Sequence, residues 1–334
     1  MTQPLLAVEG LVKHFALKSE NWFDRSRPLV RAVDNVSFSV GHRETLALVG
    51  ESGCGKSTTG RLILQLIDPT AGAVRFEGAD LVTMAPQALR RARKDLQIIF
   101  QDPHASLNPR MSVEDIILEP LYAQGERPSA AMRTYAGDLL EKVGLSRRHA
   151  QRFAHEFSGG QRQRIGIARA IAPKPKFVIC DEAVSALDVS VQAQIINLLQ
   201  DLQEELGMSY LFIGHDLAVV RHIADRVAVM YLGRIVETAP KTTIYAAPRH
   251  PYTQALLASA PVPHPRLRKT RNRLRGEMPS PLNPPSGCHF HPRCPLAQDV
   301  CKTDDPVLRT LESGHEVACH FAELTAGGPA PRPS

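Results

Sequence analysis

The stretch GESGCGKST, residues 50–58, carries a strong chemical signal. It fits the spacing G-x-x-x-x-G-K-[ST], with Gly50, Gly55, Lys56 and Ser57 in the fixed places. The apolar run TLALV precedes it and the helical pattern TTGRLILQLI follows. In that context the glycines let backbone N–H groups converge on phosphate oxygens at a helix N-terminus, and Ser52, Gly53 and Thr58 complete the binding positions. Lys56 is expected to reach the β- and γ-phosphates and Ser57 to ligate Mg²⁺. A second piece is KFVICDE at 176–182, an apolar run ending in two carboxylates. Such a pair can simply cap a helix. Together with a phosphate loop it reads differently: Asp181 holds Mg²⁺, and Glu182 polarises a water for in-line attack on the γ-phosphorus.

A third piece is FSGGQRQRIGIARAIA at 157–172, where Ser158 and two glycines open an arginine-rich amphipathic pattern. Serine is a good N-cap, and glycines such as Gly160 leave the helix start open to a close ligand.

These pieces need a scaffold. LLAVEGLVKHF (5–15) and RAVDNVSFSV (31–40) alternate like half-buried strands. TLALVG (45–50), LQIIF (96–100), FVIC (177–180) and YLFIG (210–214) are short continuous apolar runs, as in strands covered on both faces. VQAQIINLLQDLQEEL (191–206) puts Ile195, Leu198, Leu199, Leu202 and Leu206 on one helical stripe. The alternation predicts an α/β fold with a mainly parallel sheet. Residues 101–157 carry no clear buried strand and read as a helical insertion. Residues 246–334 are dense in Pro and Cys, include the basic run RLRKTRNRLRG (266–276), and read as a separate extension with a disordered tail, GGPAPRPS.

With 334 residues, 43% hydrophobic and 22% charged, the chain is long enough for a large domain plus a small one. A net charge of +6 suits a phosphate-rich ligand, nucleic acid or an anionic membrane face without choosing among them. The apolar run LILQLI (62–67) is far too short to span a bilayer, and MTQPLLAVEG lacks a basic segment followed by an apolar one. A cytosolic protein without disulfides is expected.

In FSGGQ and in the order of its motifs, the sequence resembles the ATP-binding cassette (ABC) ATPases over residues 5–245. The resemblance implies an α/β P-loop nucleotide-binding domain: a RecA-like core, an N-terminal antiparallel β subdomain and an inserted helical subdomain at about 101–169. It implies that Ser158 and Gly160 meet ATP held by an opposite subunit. Gln101 in IIFQDP looks like the Q-loop glutamine that contacts Mg²⁺ and couples to a membrane partner. Asp188 in SALD looks like the D-loop aspartate, His215 in FIGHDL like the switch histidine, and Phe15 like the aromatic that stacks on adenine. Ala183 stands where many relatives have Pro, and Gly214 where Ser is frequent; neither supplies chemistry.

QDPHASLNPRM (101–111), PRHPYTQALLASAP (248–261) and SPLNPPSGCHFHPRC (280–294) resemble the ATPase subunits of bacterial dipeptide/oligopeptide importers. The resemblance implies a peripheral protein on the cytoplasmic face of the bacterial plasma membrane. Its expected partners are two transmembrane permease subunits, a second and non-identical ABC ATPase, and indirectly a periplasmic or extracellular peptide-binding protein. Nickel or another small solute is the alternative cargo. The loop KSENWFDRSRP (18–28) fits the same group and equally reads as a surface hairpin with one packed aromatic, the only Trp. A soluble ABC ATPase acting on nucleic acid is the alternative of another class. The basic run has no interleaved aromatics for base stacking, so a solvated linker and no nucleic-acid partner are expected. The cysteines by themselves suggest a scaffold ATPase in iron–sulfur assembly.

Four of the six cysteines, Cys288, Cys294, Cys301 and Cys319, crowd into the extension at spacing C-x5-C-x6-C-x17-C. Cys54 and Cys180 lie in the phosphate loop and the Walker-B strand and are not expected to be ligands. Zinc could use the nearby His289, His291, His315 and His320, although structural zinc sites use tighter knuckles. A [4Fe–4S] cluster takes four thiolates at varied spacings, and the resemblance to peptide-importer ATPases favours it over zinc. The extension is expected to be too poor in apolar residues to fold alone, with the metal supplying its folding free energy.

Overall fold

A computed structural model describes residues 3–17, 28–259, 276–312 and 314–325. The tryptophan loop, nearly all of the basic run and the C-terminal tail singled out above lie outside the described residues.

The strands are β1 (Leu6–Ala16), β2 (Leu29–Val40), β3 (Thr45–Val49), β4 (Ala71–Phe76), β5 (Ala79–Asp80), β6 (Leu96–Ile99), β7 (Phe177–Asp181), β8 (Ser209–Gly214), β9 (Arg226–Tyr231), β10 (Arg234–Pro240), β11 (Arg309–Glu312) and β12 (His315–Val317). Helices α1 (Lys56–Ile63), α2 (Pro86–Ala92), α3 (Pro103–Ser106), α4 (Val113–Ala123), α5 (Ala130–Lys142), α6 (Gly159–Ile171), α7 (Val189–Leu206), α8 (Leu217–Ile223), α9 (Lys241–Ala246), α10 (Pro251–Ser259) and α11 (Val300–Thr303) connect them.

One sheet has the order β11-β12-β10-β9-β3-β8-β7-β6. Its β9-β3-β8-β7-β6 portion is parallel throughout, and β10, β12 and β11 add to it antiparallel. The second sheet, β2-β1-β4-β5, is antiparallel. The continuous apolar runs form the centre of the large sheet for a physical reason: every residue of β3, β7 and β8 is buried, so both faces must be covered. Side chains alternate along a strand. Ala47, Val49, Val178, Cys180, Tyr210 and Phe212 face one core, with α4 to α8 packed over it. Leu46, Leu48, Phe177, Ile179, Leu211 and Ile213 face the other, against α1 and the small sheet. The predicted stripe of α7 buries Ile195, Leu199 and Leu202, with Leu198 and Leu206 at its margin. Cys54 and Cys180 are core residues.

The Cys-rich extension is not a detached body. Its strands β11 and β12 continue the edge of the large sheet beyond β10, and Tyr252 and Phe290 belong to the main core. Buried Glu237 on β10 accepts hydrogen bonds from the backbone N–H groups of Arg249 (2.6 Å) and His250 (3.0 Å) and pairs with His315 Nε2 at 2.8 Å. Shared strands and shared aromatic burial thus join this segment to the rest of the chain.

Candidate nucleotide site

The phosphate loop runs from the end of β3 into α1. A side chain at Gly50 would place Cβ 2.2 Å from the Met230 carbonyl oxygen. At Gly55, where φ is +107°, Cβ would meet the Ala32 carbonyl oxygen at 2.1 Å. The loop is thus pinned between β9 and β2 by backbone, with Ser52 and Gly53 exposed. Lys56 is buried at 4% exposure, and its ammonium donates to the Gly50 and Glu51 carbonyl oxygens, 2.9 Å each. Those bonds satisfy a buried charge that a triphosphate can take over. Thr58 lies half-buried in the first turn of α1.

Ser57 Oγ donates to Asp181 Oδ1 at 2.7 Å across 124 residues of sequence. Burial raises the Asp181 pKa above the usual carboxylate value, while the Ser57 hydrogen bond opposes that shift. An adjacent hydroxyl and carboxylate are the oxygen donors Mg²⁺ prefers, so the pair fits that ion. Glu182 follows with φ +47°, a left-handed conformation that costs a non-glycine residue about 1–2 kcal/mol. Its N–H is held by the Ile213 carbonyl at 3.0 Å. This turn brings the Glu182 carboxylate to Gln101, whose Nε2 donates to Oε2 at 2.7 Å, and within 3.7 Å of His215 Nδ1. Glu182, His215, Ser185 and Gln192 share one cavity.

Five expected residues, Ser57, Asp181, Glu182, Gln101 and His215, therefore meet at the carboxyl ends of parallel strands. Among the described residues no hydrogen bond links Ser158 or Asp188 to this group. Ser158 instead caps α6: its hydroxyl accepts from Gln161 N–H at 3.4 Å and its own N–H donates to Gln161 Oε1 at 3.0 Å. A Cβ at Gly160 would lie 2.6 Å from Val191 Cγ1, so this glycine allows α6 to approach the start of α7, which Asp188 precedes. Phe15 lies half-buried on β1 opposite Val30, with Lys13 Nζ 5.1 Å from its ring centroid.

The cysteine patch is less ordered toward a ligand. The Cys288 N–H donates to the Cys301 carbonyl at 2.9 Å. Burial pushes the Cys288 thiol up to about 11 and Cys294 to about 12, and neighbouring extension thiols add to each shift. Burial also raises Cys319. Among the described residues no group of three or more His, Cys, Asp or Glu stands where it could hold a metal ion. The histidines weighed for zinc are engaged elsewhere: His315 with Glu237, His291 with the Cys288 carbonyl and His320 with the Asp304 carbonyl. His289 Nδ1 is buried without a hydrogen-bond partner.

Sequence reasoning missed what lies beside the loop. Arg293 from the extension makes a paired contact with the Glu51 carboxylate, Nη1 to Oε2 at 2.8 Å and Nη2 to Oε1 at 3.0 Å. Tyr252 Oη accepts from the Glu51 N–H at 2.9 Å. The partners of each contact are some 200 residues or more apart, so no local spacing announces them.

The parallel sheet with its phosphate loop running into α1, the Ser57–Asp181 pair and the Glu182 carboxylate beside it match the ABC class of ATPases. The family described as ABC transporter matches residues 33–185, and the family described as the C-terminal region of oligopeptide/dipeptide transporters matches residues 236–301. The probable peptide ABC transporter ATP-binding protein y4tS of Sinorhizobium fredii is 55% identical over 320 residues, covering 96% of this chain and 90% of that one. The oligopeptide transport ATP-binding protein AppF of Bacillus subtilis is 50% identical over 322 residues, covering 96% and 98%. Among solved structures, the dimeric post-hydrolysis ATP-binding cassette MJ0796 bound to ADP and Pi aligns with a TM-score of 0.63 at 26% identity, over 71% of this chain and 98% of that one. The chain belongs to the ABC transporter ATP-binding proteins and carries the C-terminal region found in oligopeptide/dipeptide transporters. No helix among the described residues is long and apolar enough to cross a membrane.

Proposed function

We propose that this chain is the ATP-hydrolysing subunit of a peptide importer, working peripherally on the cytoplasmic face of the membrane. It would pair with a second, homologous ATPase and two permease subunits, with an external peptide-binding protein supplying cargo. The observation that carries the reading is the convergence of Ser57, Asp181, Glu182, Gln101 and His215 in one site on a chain that also bears the transporter-type C-terminal region. Lys56 and the loop amides bind the triphosphate. Ser57, Asp181 and Gln101 would hold Mg²⁺, which would neutralise phosphate charge. Glu182 orients and deprotonates the attacking water, with His215 beside the γ-phosphate. Ser158, Gly160 and Asp188 serve the nucleotide on the partner subunit, and Phe15 stacks on the adenine. Residues 1–245 form the ATPase unit and 246–334 the extension. Proteoliposomes containing the permeases and both ATPases should accumulate labelled peptide only with ATP and the binding protein. Nickel accumulation without peptide uptake overturns the cargo assignment.

Coupling to the permeases runs through Gln101 and the segment after it. Gln101 touches the catalytic carboxylate, and residues 103–106 begin the helices between β6 and β7. Cysteines placed singly along 104–111 of the assembled complex should cross-link to a permease from at least one position. A full series without any such cross-link refutes this route.

The four clustered cysteines are proposed to hold a [4Fe–4S] cluster, with zinc the alternative. The support is the crowding of four free cysteines into residues 288–319 of the transporter-type extension, although their side chains do not stand in metal-holding geometry among the described residues. Anaerobically purified protein should be brown and contain iron in proportion to those cysteines. Colourless protein with stoichiometric zinc selects the alternative, and metal-free protein rejects both.

A further inference from the structure

Glu51 is a non-fixed position of the phosphate loop, yet every polar part of it is engaged. Its carbonyl oxygen accepts from the Lys56 ammonium at 2.9 Å. Its N–H donates to Tyr252 Oη at 2.9 Å. Its carboxylate takes both terminal nitrogens of Arg293. Two of these three groups come from the extension. Arg293 is itself held: only 6% of its side chain is exposed, its guanidinium carbon lies 5.8 Å from the Tyr231 ring centroid, and its N–H donates to the Phe290 carbonyl at 3.0 Å. Tyr231, Tyr252 and Phe290 pack on one another with ring centroids 4.7–5.5 Å apart. Met278, also from the extension, sits where a Cβ on Gly53 would touch its methyl at 3.6 Å.

We propose that Arg293 is a positioning residue for the phosphate loop, so that docking of the cysteine-bearing extension sets the affinity of the ATP site. The physical argument is geometric. A phosphate loop binds through backbone N–H groups whose directions must be shared by several residues at once. Gly50 and Gly55 are pinned against β9 and β2, so the shape of the loop between them depends on what holds Glu51. A planar guanidinium bonded to both carboxylate oxygens restrains Glu51 in orientation as well as in place, which a point charge does not. The restraint passes to Lys56 through the carbonyl of the same residue. Arg293 is next in sequence to Cys294 and five residues from Cys288, in the short turn over His291–Arg293. Whatever fixes the cysteine patch therefore fixes this arginine. Coupling between two sites is reciprocal, so nucleotide in the loop must also steady the turn that presents Arg293.

The proposal rests on residues 50–58 being the ATP phosphate loop, and wild-type ATP binding tests that separately. The experiment titrates ATP without Mg²⁺, to prevent turnover, into full-length wild type, Arg293→Met, Arg293→Lys, Glu51→Gln and the Arg293→Met/Glu51→Gln double variant. Arg293→Met and Glu51→Gln should each weaken ATP binding by about tenfold, the scale of one lost charge-assisted contact. The double variant should be no weaker than either single one. Arg293→Lys, keeping charge without the fork, should recover only part of the loss. In wild type, saturating ATP should slow amide hydrogen exchange over residues 288–294, and Arg293→Met should lose that protection. Wild-type affinity in folded Arg293→Met, or losses that add in the double variant, overturns the proposal. Should Arg293→Met fail to fold, Arg293→Lys and Glu51→Gln decide it: wild-type affinity in both, with no ATP-dependent exchange change in wild type, overturns it.

Discussion

Replacing Glu182 with Gln is expected to reduce ATP turnover of the assembled complex by about 10²–10⁴-fold, the range over which a positioned general base acts. Gln preserves the size of the side chain and can still meet Gln101 Nε2, which now stands 2.7 Å from the carboxylate. It can also occupy the same left-handed backbone site at φ +47° with little change in strain. What it loses is the capacity to accept a proton from water. ATP affinity should therefore stay at the wild-type level while nucleotide-bound, closed ATPase dimers accumulate. Steady-state phosphate release checks the rate, and sedimentation with ATP checks the dimer. Turnover near the wild-type rate would move the base elsewhere, with His215 next to be examined.

Lys56→Ala should act on binding rather than on the chemical step. The ammonium is buried and now satisfied by two loop carbonyls. With ATP present its donors turn to phosphate oxygens, a charge-assisted exchange worth about 2 kcal/mol, or roughly a thirtyfold loss of affinity when removed. Titration of a fluorescent ATP analogue reads this directly. Unchanged affinity would show that the loop amides alone hold the triphosphate. The two variants separate the roles: Glu182→Gln spares affinity and stops turnover, whereas Lys56→Ala loses affinity first.

The amino-acid order by itself determined the elements and much of the chemistry. Strands β3, β7 and β8 were legible because central parallel strands are covered on both faces and so read as unbroken apolar runs. The phosphate loop and the carboxylate pair were legible because their functions depend on contiguous backbone and on spacing within a few residues. Strand β9 carries the unbroken apolar run VAVMY and is legible by the same rule, whereas β4 and β10 are interrupted by Gly and Arg or by Glu and Thr and show no such run.

Only the tertiary structure decided which distant groups meet. Gln101 reaches Glu182 across 81 positions and Arg293 reaches Glu51 across 242. Those contacts follow from the stacking of strands and from where the extension's edge strands and aromatic side chains find a matching surface. The composition of residues 246–334 suggested a separate unit held by metal. Burial of Tyr252 and Phe290 in the common core, and of Glu237 against His315, packs it onto the cassette. Side-chain burial depends on surfaces that come together only after the chain has folded, and local spacing holds no record of them.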